Sequence, residues 1–394
     1  MADLSRRFLA LVFVVLIIAF CSARGDTHKW NIPHFSDDTA ALYKAASDVP
    51  PPPGSEILVL DDESSYVFDA DGKSVHTSYL LYKVLTQRGA EQWNGTSLSW
   101  NPWHQERPKI RARVITSDNQ VYPLDPKTIS DAPDDEDDPD VYSDRLVVRA
   151  PFPAISPGSL VEEEETVTDT KSYFAAGTVD RYFFGFVDIP LQYSRLVLDA
   201  PASLPLQYQL RLVPDLKPER KEENGRVQIT FERGPIEPLE KVEEYLPSDA
   251  LTYPSVIFST GASWRKIAEE YGKTVDSQIA LSDVKALTTG LIAGKKSRDE
   301  KATAILQYLD REVRYTGVEF GVAALTPRTP AETLQRKYGD CKDKATLLVA
   351  MLRAAGIPSY LVLLNVGENQ DISPTLPGIS LFDHAIAYLS LIHI

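Results

Sequence analysis

The spacing of apolar residues changes once along this chain of 394 residues, and the change divides it into two regions. From about Glu56 to Arg233, apolar residues form short β-prone runs separated by turn residues, without a sustained helical period. From about Gly261 they recur at helical spacing. The sequence therefore predicts a multidomain protein, with an all-β, sandwich-like double sheet over residues 56–240 and an α+β domain over residues 255–394.

Turn residues predict three hairpins in the first region. Asp71-Gly72, the segment 117–120 and Asn224-Gly225 each lie between β-prone runs and are typical of tight turns. The strand pairs predicted around them are 66–68 with 74–85, 110–115 with 121–122, and 206–213 with 226–233.

Capping residues fix the helix starts of the second region. Residues 297–300, which read SRDE, form a capping box, and Thr329-Pro330 supplies an N-cap followed by proline at the first helical position. These signals predict helices beginning at about residues 298 and 330.

The N-terminus predicts an exported protein. Arg6 and Arg7 precede an apolar run, residues 8–20, and Cys21-Ser22-Ala23 offers small residues for cleavage, so residues 1–23 have the pattern of a signal peptide. The run is shorter than the roughly 20 residues of a membrane span, so no membrane anchor is expected after cleavage. Residues 24–55 are predicted to be a poorly defined leader and a Pro-rich linker, and the location to be periplasmic or extracellular.

The negative charge of the chain argues against nucleic acid as a partner. The formal net charge is −15 at pH 7, whereas binding to a phosphate backbone requires clustered Lys and Arg. The acidic run at residues 131–140 has the wrong spacing for a helix-loop-helix calcium loop and is interpreted as a solvated loop. Residues 162–165, four consecutive glutamates, are interpreted as an exposed edge strand.

Cys341 is the thiol that remains if residues 1–23 are removed, because the chain has two cysteines. Asp340 is a natural N-cap for a helix that ends at Gly356-Ile357-Pro358, which places Cys341 in its first turn. The N–H groups and the dipole at a helix start favour a thiolate, the nucleophilic form of cysteine. A lone cysteine is also common as a small buried hydrophobe, so this interpretation needs a partner residue.

His384 is the candidate partner. Residues 360–364 predict a buried apolar strand, and a second strand begins near Phe382, in which Phe382, His384, Ile386 and Tyr388 share one face. A helix carrying the thiol, packed on a sheet carrying the imidazole, is the arrangement that a Cys–His pair requires. The alternative is a structural histidine.

The residues around these two side chains resemble a known family. Residues 338–348 (YGDCKDKATLL) with 354–358 (AAGIP) are similar to the nucleophile helix of the transglutaminase-like superfamily, and 382–386 (FDHAI) are similar to its histidine strand. The resemblance covers about residues 261–394. The β-rich region resembles the domain of unknown function that often precedes this core in exported bacterial proteins.

The resemblance implies a papain-like fold with a Cys-His-Asp triad. Cys341 would be the nucleophile and His384 the general base. The family places the acid on the strand after the histidine, and the sequence ends before that point, so we expect a C-terminally truncated copy. Asp383 is a poor substitute because neighbouring strand residues point to opposite faces.

The sequence thus predicts an exported, cysteine-dependent acyl-transfer enzyme, either a peptide or amide hydrolase or a transglutaminase, which uses a thiolate–imidazole pair. The expected substrate is a protein or peptide, with cell-wall peptide as one option, and no cofactor or metal is implied. The alternative is a non-catalytic protein- or cell-wall-binding module on a transglutaminase-like scaffold, which an incomplete triad would favour.

Overall fold

The computed structural model of the chain describes residues 32–134, 141–241, 252–366 and 372–389. The predicted signal peptide at residues 1–23, including Cys21, lies outside these residues, as do residues 135–140 of the acidic run. None of the helices in the described ranges has the length and apolar character that a bilayer span needs.

The first region contains two helices and fifteen strands among the described residues. The helices are α1 (Thr39–Ser47) and α2 (Gln87–Gln92). The strands are β1 (Ile57–Phe68), β2 (Ser74–Val84), β3 (Gly95–Trp100), β4 (Lys109–Ile115), β5 (Val121–Pro123), β6 (Ser130–Pro133), β7 (Val141–Ser143), β8 (Leu146–Pro151), β9 (Leu160–Thr168), β10 (Val179–Phe183), β11 (Ser194–Pro201), β12 (Gln207–Arg211), β13 (Glu219–Glu223), β14 (Arg226–Arg233) and β15 (Ser255–Ser259).

The second region combines helices with short strands. The helices are α3 (Trp264–Ala280), α4 (Lys285–Leu291), α5 (Arg298–Glu312), α6 (Pro330–Arg336) and α7 (Cys341–Ala354). The strands are β16 (Arg314–Tyr315), β17 (Gly317–Glu319), β18 (Tyr338–Gly339), β19 (Ser359–Leu364) and β20 (His384–Leu389).

An eight-stranded sheet organises the first region, in the order β13-β14-β11-β1-β2-β9-β4-β5. Its pairs are antiparallel except β1 with β11, which run parallel. Two three-stranded sheets, β10-β15-β12 and β3-β8-β6, complete the region. One apolar core includes residues of all three sheets, for example Val59, Phe231, Phe258 and Ala150. The predicted multidomain layout, a β-rich region followed by an α+β domain, is confirmed, and the β-rich region contains several sheets.

Two of the three predicted hairpins are confirmed and one is partly wrong. β1 and β2 pair across Asp71-Gly72, and β4 and β5 pair across residues 117–120. Asn224-Gly225 does turn the chain, but it joins β14 to β13 rather than to the run at 206–213. The latter run forms β12 and pairs with β15. Local turn signals identify the bend but leave open which strand pairs beside it.

The predicted leader contains a helix that covers the outer face of the large sheet. Asp38 caps α1 by accepting from the Ala41 N–H at 3.0 Å. Leu42 and Ala46 of α1 pack on Leu58 and other buried residues of β1, β2, β4 and β9. Both faces of β1 are therefore covered, which explains its unbroken apolar start.

The prediction of an exposed edge strand at residues 162–165 is wrong. These glutamates lie in β9, which is an interior strand between β2 and β4. Glu162 is 1% exposed and forms an ion pair with Arg113 at 2.7 Å, and it also accepts from the Tyr79 hydroxyl at 2.8 Å. A run of carboxylates can occupy an interior strand when neighbouring strands supply donors.

The helices of the second region begin where the capping signals predict. Ser297 and Glu300 form the capping box of α5, and Thr329 caps α6 ahead of Pro330. α7 packs against α5 and α6, and against β19 and β20. The expectation that residues 360–364 form a buried strand is wrong: Tyr360 is 56% exposed, because β19 and β20 form a two-stranded sheet that faces α7 on one side.

The two regions share several contacts. β15, which the predicted domain boundary counts with the second region, pairs with β10 and β12 of the first. β7 pairs in parallel with β17. Ser380 accepts from the Val179 N–H at 2.8 Å and donates to the Val179 carbonyl at 2.6 Å. These contacts form a junction beside the start of α7.

Candidate active site

The start of α7 is built around Asp340 as the sequence predicts. Its side chain accepts from the Asp343 N–H at 3.0 Å, and its carbonyl accepts from the Lys344 N–H at 3.0 Å. Gly339 precedes it with no room for a side chain, because a Cβ there would lie 2.6 Å from the Asp343 Cβ. Cys341 is therefore the first residue of the helix, and it is half-buried as a free thiol.

The charges around the thiol are buried and paired. Lys342 is 5% exposed, and its ammonium lies 2.5 Å from an Asp340 carboxylate oxygen and 3.0 Å from Glu319. Burial alone would lower the pKa of Lys342, but these two carboxylates raise it above its ordinary value. Burial and Asp340 raise the pKa of Asp343 to about 6, although it accepts from the Arg328 N–H at 2.7 Å.

The pKa of the Cys341 thiol is shifted in the opposite direction to the one that its position at a helix start predicts. Burial raises the pKa of Cys341, and the Asp340 carboxylate raises it further. The Lys342 ammonium and the N–H groups of Ala385 and Lys342 lower it, without cancelling the rise. The helix start therefore does not produce a resting thiolate, because desolvation and a neighbouring carboxylate outweigh the N–H donors. Cys341 is protonated at neutral pH and needs a base to become nucleophilic.

His384 begins β20 opposite Leu364 of β19. Ala385, its neighbour, is buried and its N–H points to the Cys341 sulfur, whereas Ile386 is exposed on the His384 face. The predicted sharing of a face by His384 and Ile386 agrees with this alternation, and both residues line one hollow with Cys341, Ala345 and Leu348 of α7. The histidine ion pairs among the described residues are those of His34 and His104, so His384 has no carboxylate partner there.

Asp383 forms two hydrogen bonds with the backbone at the end of this two-stranded sheet. Its N–H donates to the Leu364 carbonyl at 3.2 Å, and its carboxylate accepts from the Val366 N–H at 2.8 Å. The carboxylate is therefore engaged with the backbone just after the end of β19, as expected for a residue whose side chain does not follow that of His384.

Cys341 and His384 line the same cleft, which has a volume of about 790 Å³ and lies where the two regions meet. The first region contributes Ser99, Asn101, Trp103, Ser143 and Arg145, and the second contributes Tyr271, Glu319, Cys341, Lys342, Asp383 and His384. A second hollow of about 320 Å³ also reaches Cys341 and His384, and has an apolar wall that includes Leu306, Leu348 and Ile386. The pair thus lies between a polar cleft and an apolar one.

Sequence reasoning missed the residues that the first region brings to the cleft. Trp103 and Arg145 belong to no motif and come to line the cleft with Cys341 only through the folding of the chain. Lys342 had a signal, since it lies directly beside the thiol in the matched segment, but its pairing with Glu319 depends on tertiary structure.

Family models match both regions of the chain. Residues 285–387 match the transglutaminase-like superfamily. This segment is a transglutaminase-like core. Residues 70–240 match a domain of unknown function with a solved structure, DUF3857. The resemblance inferred from residues 338–358 and 382–386 is thereby confirmed.

A solved structure agrees with this fold. The crystal structure of a candidate protease from Parabacteroides distasonis is similar with a TM-score of 0.68 at 17% identity, over 85% of this chain and 65% of that one. This chain thus spans about two thirds of the length of that protein, and at this identity the likeness concerns the fold alone.

Other similarities are weaker. A candidate cysteine protease from Cytophaga hutchinsonii has a TM-score of 0.21 at 12% identity, over 80% of this chain and 71% of that one. An M1 zinc metallopeptidase from Deinococcus radiodurans has a TM-score of 0.26 at 11% identity, over 52% of this chain and 42% of that one. Both scores are too low to support a shared fold. A search of curated proteins finds no match.

Proposed function

We propose that this protein is a cysteine-dependent acyl-transfer enzyme, a peptide or amide hydrolase or a transglutaminase, with Cys341 as nucleophile and His384 as general base. The observation that carries the proposal is the joint placement of these two side chains in one cleft of about 790 Å³ at the start of α7. The transglutaminase-like core supports the same roles.

The proposed reaction starts from a neutral thiol. His384 takes the Cys341 proton while the sulfur attacks the carbonyl carbon of an amide, and the carbonyl oxygen becomes an oxyanion. The Cys341 N–H, at the start of α7, has no acceptor within the helix, so it is suited to stabilise that oxyanion. The C–N bond then breaks, the leaving amine takes the proton from the imidazolium, and a thioester remains. Water or a second amine attacks the thioester and releases the thiol.

The lining of the cleft favours a peptide-like substrate. Arg145, Glu319 and Lys342 provide charges of both signs, and Trp103 and Tyr271 provide aromatic surfaces. Such a surface suits the polar backbone and mixed side chains of a polypeptide better than a uniformly charged polymer. A protein or peptide, including cell-wall peptide, is the proposed substrate class. The signal-like residues 1–23 support export to the periplasm or the exterior as part of the proposal.

One observation favours a second candidate, a non-catalytic binding module for a protein or for cell-wall peptide. The raised pKa of Cys341, together with a His384 that has no ion pair to a described carboxylate, is unlike a triad in which an acid orients the imidazole. In this candidate, the cleft between the two regions binds a peptide without cleaving it.

Acylation by an activated ester distinguishes the two candidates. The full chain is mixed with p-nitrophenyl acetate, and nitrophenol release and the intact mass are followed for the wild type, Cys341→Ser and His384→Ala. Tyr388→Ala is the matched control, because Tyr388 is exposed on the same strand as His384. The enzyme proposal expects acetylation at Cys341 that disappears in Cys341→Ser, falls by at least about a hundredfold in His384→Ala, and persists in Tyr388→Ala. Equal rates in the wild type and His384→Ala would favour the binding module.

A further inference from the structure

Three potential metal ligands meet at the outer face of the large sheet, away from the cleft. One ligand atom each of His34, Asp61 and Glu63 lies within 4.8 Å of the other two. Nε2 of His34 and Oε1 of Glu63 are 3.8 Å apart. Asp61 and Glu63 belong to β1, whereas His34 belongs to the segment that leads into α1. The cluster therefore joins the N-terminal segment to the centre of the sheet.

Asp61 is the most unusual member of this cluster. It is 2% exposed, and its Oδ1 is buried without a hydrogen-bond partner. Burying an unpaired carboxylate is costly, and buried charges in proteins are normally paired or bound to a metal. No ion pair of Asp61 occurs among the described residues, so this oxygen is an independent sign that the cluster is suited to a cation.

The other two side chains are held in position by contacts that leave their ligand atoms available. The His34 ring stacks on the Tyr79 ring with centroids 3.5 Å apart and an angle of 3°. Oε2 of Glu63 accepts from Arg195 at 3.1 Å, which leaves Oε1 towards His34. Hydrogen bonds to the far side of a ligand are the usual means of orienting metal ligands.

The segment that carries His34 is itself anchored. The Phe35 N–H donates to the buried Glu162 carboxylate. The Arg111 guanidinium lies 3.8 Å from the centroid of the Phe35 ring. His34 is thus presented to β1 by a fixed backbone.

We propose that His34, Asp61 and Glu63 bind a divalent transition-metal ion of the zinc type. One imidazole nitrogen and two carboxylate oxygens suit Zn²⁺, with water as a fourth ligand, better than Ca²⁺ or Mg²⁺, which prefer oxygen alone. Tetrahedral Zn²⁺ at about 2.1 Å from each ligand places the ligand atoms about 3.4 Å apart. The 3.8 Å between His34 and Glu63 is close to this value, and the ligand atom of Asp61 lies within 4.8 Å of both. The ion would clamp the segment before α1 to β1 and neutralise the buried carboxylate.

The test is a Zn²⁺ titration of the full chain after removal of metals and of any purification tag. The background carries both Cys21→Ser and Cys341→Ser, so that neither thiol of the chain can contribute. The proposal expects one Zn²⁺ per chain, a raised melting temperature on binding, and at least about tenfold weaker binding in His34→Gln and in Asp61→Asn. The variant His34→Gln should fold as the background protein does, because the His34 side chain is exposed at the surface. A loss of binding in this variant is therefore not a result of misfolding. Glu91→Gln, an exposed carboxylate variant on α2, is the matched control and should bind as the background does.

Co²⁺ provides a second measurement that does not depend on stability. Its visible spectrum should change in the background protein and in Glu91→Gln, and should be lost in His34→Gln. Zn²⁺ affinity and Co²⁺ spectra that are the same in the background, His34→Gln and Asp61→Asn would overturn the proposal. So would Ca²⁺ binding more tightly than Zn²⁺.

Discussion

Several carboxylates of the β-rich region and several of the helical region have pKa values shifted in opposite directions. In the β-rich region, burial raises the pKa of Asp61 to about 8, of Asp62 to about 7 and of Glu163 to about 8. In the helical region, carboxylates such as Glu270 lie on the surface, and hydrogen bonds from Lys266 and Lys273 lower its pKa to about 2. A sheet with both faces covered has no exposed side for its polar residues, whereas a helix can turn them to solvent.

The helical region also contains a small group of buried charges, and the contrast with its surface charges makes that group informative. There, the buried charges collect at the start of α7, where Lys342 joins Asp340 to Glu319 beside the thiol. Perturbed ionisable groups that cluster in a cleft are typical of functional sites. In the β-rich region the same property is spread over the sheets, so it does not by itself mark a site.

Lys342→Met should have the largest effect on stability. It removes the cation from a buried network and leaves the Asp340 carboxylate unpaired, which typically costs about 3–5 kcal/mol of unfolding free energy. Urea unfolding of the full chain measures it. Lys273→Met, which breaks a surface pair with Glu270, is the control and should leave the midpoint nearly unchanged. Similar midpoints for the two variants would remove the distinction between buried and surface charges in the helical region.

Glu163→Gln should flatten the pH dependence of stability. Burial, with Glu165, raises the folded-state pKa of Glu163 to about 8. The folded state therefore binds this proton more tightly than the unfolded chain, and the resulting stability, present at low pH, is lost as pH rises through the folded pKa. Between about pH 5.5 and pH 8 the loss from this group is about 3 kcal/mol, and it should be absent in the variant.

Glu300→Gln provides the comparison from the helical region, where the pKa of the carboxylate is lowered instead of raised. The N–H groups of Ser297 and Lys296 lower the pKa of Glu300, so its stabilisation is lost only as pH falls below the ordinary range. Urea unfolding from about pH 5.5 to pH 8 should therefore show the wild-type slope in Glu300→Gln and a smaller slope in Glu163→Gln. Equal slopes in all three proteins would contradict a buried, protonated Glu163.

Gly356→Ala and Gly225→Ala should have the smallest effect, and the same effect in both regions. Both glycines have positive φ, 76° and 74°, and at neither does any atom lie within 4 Å of the position that a Cβ would take. The cost is backbone strain alone, about 1 kcal/mol each in urea unfolding. A much larger loss for either would show a packing role that the surrounding space does not suggest.

The sequence predicted local structure better than it predicted which elements and side chains contact each other in the fold. The start of α7 at Cys341, its cap Asp340 and the turns at Gly72 and Gly225 follow from local backbone preferences, and all are present. The interior position of the glutamates of β9 was not predictable, because their donors come from other strands.

The candidate site shows the same difference between local features, which the sequence predicts, and tertiary contacts, which it does not. Cys341 and His384 were identified from helix capping, strand alternation and a motif, and both line the cleft. Trp103 and Arg145 were missed because they come from the first region. The pKa of the thiol was predicted in the wrong direction, because helix-start N–H groups are readable from sequence while burial and the position of the Asp340 carboxylate are not.

Whether His384 serves as base for a neutral Cys341 is tested by the rate at which iodoacetamide alkylates Cys341 as a function of pH. It is measured from about pH 6 to pH 10 in the wild type and in His384→Ala, with Tyr388→Ala as control. We expect the wild type and Tyr388→Ala to react faster at neutral pH than His384→Ala, because the imidazole takes the thiol proton. All three should share a further rise in rate above the ordinary thiol range, because burial raises the pKa of Cys341. Superimposable curves for the wild type and His384→Ala would contradict a functional Cys341–His384 pair.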